Sequence, residues 1–150
     1  MLRVAFASVA VAVVGALTLV AGARSVGAEI QEIDFATYDA RVVDRKGVTT
    51  DLKELGYVTG VNILLAYRGE AEVEIPFRLI RTLELGEFVP ETRRAPCTAT
   101  MKTGKTVALE IDAVEDGRLL RAKADFGEFR IRMGKIRRLD LLALSHLGSD

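Results

Sequence analysis

From Glu70 to Ile75 acidic and apolar side chains alternate, Glu70, Glu72 and Glu74 against Ala71, Val73 and Ile75. A period of two is the mark of a half-buried β-strand. The period then changes: Phe77, Ile80 and Leu83 recur at a spacing of three, which suits a single 3₁₀ turn, before Leu83 and Leu85 alternate again. The change comes round a second time, with Phe129, Ile131 and Met133 alternating, Ile136 and Leu139 spaced by three, and Leu139 and Leu141 alternating. At a shift of 56 positions Glu72, Ile75, Ile80, Arg81, Leu83 and Leu85 fall on the identical Glu128, Ile131, Ile136, Arg137, Leu139 and Leu141. The chain carries an internal repeat.

The repeat extends upstream. At a shift of 57 Gly47 meets Gly104, Thr49 meets Thr106, Leu52 meets Leu109 and Gly60 meets Gly117, and at 56 Leu64 meets Leu120 and Ala66 meets Ala122. One residue was gained or lost between Gly60 and Leu64, in a loop, where length changes are tolerated. Asp44 to Gly47 and Lys102 to Gly104 each separate runs of β-formers, and glycine supplies the positive φ of a tight turn. Asp116-Gly117 is a strong hairpin signal, and Thr59-Gly60 holds its place in the first copy. Gly86 to Pro96, aperiodic and with two of the three prolines, reads as a linker. The expected organisation is a lead-in arm at 29–37, a first copy at 38–85, a linker at 86–94, a second copy at 95–142 and a frayed tail at 143–150.

Strand, one 3₁₀ turn and short strand is how the last two strands of an SH3-like barrel are joined, and five short strands in 48 residues suit such a barrel. The chain thus resembles tandem SH3-like or Sm-like small β-barrel domains of exported bacterial proteins. The resemblance implies an all-β fold of two tandem SH3-like small barrels after an N-terminal signal segment. It transfers no functional residues, because a fold of this kind hosts many functions. Units this small bury little apolar surface without a disulfide or a metal, so the copies are expected to pack together or to share one continuous sheet.

Arg3 is followed by an uncharged, Ala- and Val-rich run from Val4 to Ala23 and then by Val26, Gly27 and Ala28, a pattern suited to cleavage before Glu29. The expectation is a signal peptide at 1–28 and an exported, periplasmic or extracellular protein. The alternative is an uncleaved segment that tethers the chain to the membrane, since about 20 weakly apolar residues can just span a bilayer. Without residues 1–28, which hold Arg3 and Arg24 and no acid, 19 basic groups face 21 acidic ones, a formal charge of −2. Such a surface has no net field to gather nucleic acid or anionic lipid, so neither is expected as a partner after cleavage. Cys97 is the only cysteine, which excludes an intramolecular disulfide and leaves the core to hold the fold.

Motifs that resemble chemistry are incomplete. Thr103-Gly104-Lys105-Thr106 matches the end of a phosphate-binding loop, but Ala99 stands where its first glycine belongs and no helix pattern follows. Asp125-Phe126-Gly127 spells the kinase metal-binding triplet without the other kinase motifs. His146, the only histidine, and Cys97 are too few for a structural zinc site. No catalytic residue, cofactor or metal is expected, and the chain reads as non-enzymatic, with an uncharacterised enzyme as a third reading.

The residues that point to function are charged. Glu70, Glu72 and Glu74 line one strand face, whereas the matched stretch of the second copy carries Glu128, Arg130 and Arg132, followed by Lys135, Arg137 and Arg138. Carboxylates in a strand row diverge and do not converge on a calcium ion, so a solvated or ion-paired face is expected. Matched faces of opposite sign suggest that the acidic ridge pairs with the basic one, within a chain, across a head-to-tail assembly or with a partner protein. Two independent solvated faces are the alternative, since exposed ion pairs contribute little. The leading expectation is an exported interaction module of the cell envelope whose partner is a protein, a peptide or a further copy, recognised through charged strand faces and sheet edges. A structural, self-assembling envelope component is the second reading.

Overall fold

The computed structural model describes residues 35–112 and 118–146. The expected signal segment, most of the lead-in arm, the Asp116-Gly117 turn and the tail from 147 lie outside the described residues. Those described are all-β. The first copy supplies β1 (Thr37–Asp44), β2 (Thr49–Tyr57), β3 (Ile63–Arg68), β4 (Ala71–Pro76) and β5 (Ile80–Leu85). The second supplies β6 (Arg94–Met101), β7 (Thr106–Asp112), β8 (Leu119–Ala124), β9 (Gly127–Arg132) and β10 (Ile136–His146). No helix among the described residues is long and apolar enough to cross a membrane.

The 3₁₀ turns stand where the spacing of three puts them, at Phe77–Leu79 and Met133–Lys135. Pro76, at φ −60°, lacks the N–H that would extend the β4 ladder and leads the chain into the first turn. Each turn drops one large apolar side chain into the core, Phe77 in one copy and Met133 in the other. Ile80, Leu83 and Leu85 then point inward from β5, as Ile136, Leu139 and Leu141 do from β10.

The strands form one antiparallel sheet in the order β4-β3-β7-β6-β5-β10-β1-β2-β8-β9, not closed into a barrel. Numbered by place in the repeat, this order reads 4-3-2-1-5 and then 5-1-2-3-4. It is a palindrome, so a pseudo-twofold axis relates the copies through the short β5–β10 ladder. There Leu83 stands opposite its own repeat equivalent, Leu139.

The turns between β1 and β2 and between β6 and β7 close hairpins as their sequences imply. Asp44 accepts the Lys46 and Val48 N–H groups on Oδ1 at 2.8 and 2.9 Å, and Gly47 and Gly104 take φ of +82° and +91°. Thr59-Gly60 behaves differently. Gly60 donates to the Tyr57 carbonyl at 2.9 Å with φ +87°, yet no hairpin follows, because β2 pairs with β8 and β3 pairs with β7. Each half of the sheet therefore contains two strands of one copy and three of the other.

Crossing over joins what two separate units would divide. A single apolar cluster runs through both copies, from Tyr38, Leu55 and Phe77 to Ile111, Leu120 and Met133. Tyr38 and Tyr57 pack their rings on Phe77 with centroids 6.4 and 5.2 Å away. The segment expected as a spacer is instead a loop between antiparallel neighbours β5 and β6, with the Gly86 N–H on the Pro96 carbonyl at 2.7 Å. A Cβ on Gly86 would lie 2.6 Å from Pro96 Cγ, so the close approach requires glycine. β10 runs past Leu142 to His146, which pairs with Thr37, so the expected tail is partly strand.

Candidate functional site

The palindrome leaves two edge strands, β4 and β9, at opposite ends of the order. Among the described residues each has a hydrogen-bonded neighbour on one side only, β3 and β8 respectively, and each carries exposed charges. Glu72 and Glu74 project from β4 to solvent, whereas Glu70 sits in the two-residue turn after Gly69, between paired Arg68 and Ala71. Gly69 takes φ +63°, the left-handed value a first turn position of this kind needs.

The basic residues do not form one ridge. Arg130 and Arg132 lie on the β9 edge, Lys135 in the second 3₁₀ turn, and Arg137 and Arg138 on β10 at the centre of the sheet. Arg138 is committed locally. It bonds Glu84 Oε1 through Nη1 at 2.9 Å and both Asp140 oxygens through Nε at 3.2 Å, while Thr82 Oγ1 donates to Asp140 Oδ1 at 2.9 Å. Among the described residues no ion pair joins Glu70, Glu72 or Glu74 to Arg130, Arg132, Lys135, Arg137 or Arg138. The strand order separates the two ridges, so pairing within one chain is not made.

The structure adds residues to the basic side that lie outside the matched stretch. Arg121 stands directly opposite Arg130 across the β8–β9 ladder, and Lys53 opposite Lys123 across β2–β8. Like charges face to face across strands are unfavourable. Only part of the charge is compensated, by Glu128 on Arg130 at 3.3 Å and Glu54 on Lys123 at 2.6 Å. Near the acidic edge Tyr67 pairs with Glu72, and Leu65, itself exposed, with Glu74. Arg94 from β6 lies over the Tyr67 ring at 3.8 Å. β3 meets β7 through one residue pair, Tyr67 with Glu110, against three between β2 and β8. The acidic half is thus the less extensively laddered of the two.

A hollow of about 640 Å³ opens across β10, β1, β2 and β8, lined in part by Asp39, Glu54, Lys123, Leu142, Leu144 and Ser145. Ser145 Oγ donates to Asp39 Oδ1 at 2.6 Å and accepts the Glu54 N–H at 3.2 Å. Glu54 has φ +55°, the left-handed region that costs a side chain energy, within a bulge of β2. Ser145 and Lys123 hold that bulge against β10 and β8. The serine proton is aimed at the Asp39 carboxylate, so the hydroxyl fastens β10 to β1 beside the bulge.

Cys97 on β6 is buried opposite Leu85, and that burial pushes its thiol up to about 12. It is therefore an apolar filler. The Arg41 guanidinium bonds Asp51 at 2.7 and 3.3 Å and holds that exposed carboxyl below its ordinary value. Among the described residues no group of three or more His, Cys, Asp or Glu side chains could hold a metal ion.

No protein-family model matches the chain, and no curated protein is significantly similar to it.

Proposed function

We propose that the protein is an exported, non-enzymatic interaction module of the cell envelope, built as two SH3-like halves that exchange strands, which recognises extended segments by adding them to its free sheet edges. Support for the halves comes from the 3₁₀ turn before the last strand of each copy and from five-strand groups whose first and fifth strands are neighbours. Support for export is the apolar run ahead of Glu29 and its small-residue cleavage pattern. The observation that carries the function is the pair of edges that no strand among the described residues covers, of opposite net charge, β4 with Glu72 and Glu74 and β9 with Glu128, Arg130 and Arg132.

An edge strand offers a row of free N–H and C=O groups, which supply affinity to any extended chain, while the outward side chains choose between partners. β4 selects alternating basic and apolar residues, and β9 alternating acidic and apolar ones.

Two capped synthetic peptides test this, one alternating Lys with Val and one alternating Glu with Val. By hydrogen exchange, the basic peptide is expected to protect amides of residues 71–75 and the acidic peptide those of Gly127–Arg132, with both effects weakened by salt. Protection at neither edge would overturn the reading.

A further inference from the structure

We infer that the partner of each edge is the opposite edge of a second copy of this chain, so that β4 of one molecule joins β9 of the next and the sheet continues from copy to copy. This names the occupant of the edges described above and rests on reading them as recognition surfaces.

The ten strands alternate strictly, so the first and last in the order, β4 and β9, run in opposite directions. A second molecule placed in the same orientation beyond β4 therefore presents its β9 antiparallel to it. No strand needs to reverse.

With Glu72 opposite Arg132, the antiparallel register puts Glu74 opposite Arg130 on the solvent face. On the other face the same register puts Val73 opposite Ile131 and Ile75 opposite Phe129. Val73, Ile131 and Phe129 are each only partly buried against the core, so this contact completes their cover. The incoming carboxylates also relieve the Arg121–Arg130 opposition that the isolated chain leaves in place.

Charged edges commonly serve to block edge-to-edge association. Two edges of one sign would repel in every pairing. Here the net signs differ: β4 carries only acids and repels β4, while β9, with Glu128 beside Arg130 and Arg132, is net basic and attracts β4. The pseudo-twofold makes the two edges geometric equivalents, and charge alone separates them. The contact with the best charge match is heterologous, and such a contact repeats into a ring or an open filament.

The full chain is studied by sedimentation velocity at low and high salt, with three variants: Glu72→Arg/Glu74→Arg, Arg130→Glu/Arg132→Glu, and all four changes together. The wild-type chain is expected to gain mass with concentration at low salt and to lose the excess at high salt. Each double reversal alone has two edges of one net sign and stays monomeric, an equal mixture of the two co-assembles, and the fourfold variant, with its edges exchanged, assembles like wild type. Milder Glu72→Gln/Glu74→Gln weakens association roughly tenfold, as two lost cross-strand pairs imply, and covers the case in which a reversal disturbs folding.

Wild type that stays monomeric at low salt overturns the inference, as do reversals that assemble alone or a mixture that does not. If the chain stays monomeric while the charged peptides still protect the edges, self-association is wrong and edge recognition stands. If the peptides fail too, both fall.

Discussion

Asn62 is a buried polar residue whose side chain and backbone tie three segments together, a role not visible along the chain. It is 2% exposed in the crossover between β2 and β3. Its Oδ1 accepts the Tyr57 N–H at 2.7 Å, its Nδ2 donates to the Ala36 carbonyl, and its own carbonyl accepts the Phe77 N–H at 3.0 Å. A Cβ on Gly56 would come within 3.0 Å of the carboxamide, so Gly56 makes the room. Its repeat equivalent is Arg118, which bonds the Ile63 carbonyl at 3.1 Å and faces the Tyr57 ring at 5.5 Å. The crossovers are thus fastened by unlike chemistry, and a comparison of the two copies passes over both. Asn62→Ala leaves a buried donor and a buried acceptor unpaired and is expected to cost about 2–4 kcal/mol in urea unfolding. A loss under about 0.5 kcal/mol would mean that the loop closes without it.

At the scale of elements, strands and 3₁₀ turns are legible because each reflects a local period. Glu72, Val73, Glu74 and Ile75 alternate on β4 as a two-sided strand must, and Phe77 and Ile80 keep the spacing of the turn. Pairing partners are not legible in the same way. Thr59-Gly60 turns the chain equally well whether β3 folds back on β2 or passes across to β7, and the choice is made by distant residues that share the core. The charged stretch after Arg132 reads as one ridge along the sequence, but the intervening 3₁₀ turn sends β10 to the centre of the sheet and leaves β9 at its edge. The β5–β10 ladder explains why the apolar residues of the two tails are identical. Leu83 and Leu139 face each other across the pseudo-twofold, so each is the other's environment. Leu83→Ala and Leu139→Ala are each expected to cost about 2–5 kcal/mol, with nearly equal values. The double variant should depart from the sum by at least about 0.5 kcal/mol, since contacting residues couple. Clearly unequal single costs with an additive double would place the axis elsewhere.

For the whole molecule, strand exchange decides how it comes apart. Tandem units with separate cores could melt one after the other. Here β3 and β4 of the first copy complete a half whose middle strands β6 and β7 belong to the second, and one apolar cluster spans both. Neither copy can leave without opening both halves, so a single cooperative transition is expected. The chain contains its own reporters. The thiol of Cys97 lies in the half that holds β4, and its burial, with a pKa pushed up to about 12, keeps it from reacting at neutral pH until β6 is exposed. Tyr38 and Tyr57 lie on β1 and β2 in the other half, and a Tyr67→Phe change removes the third tyrosine of the chain while keeping a ring under Arg94. In that variant, thiol labelling of Cys97 and the near-ultraviolet signal of the two tyrosines are expected to follow one urea curve with one midpoint. Two separated curves would mean that the halves are energetically independent, and that the crossover strands, although paired across the copies, do not couple them.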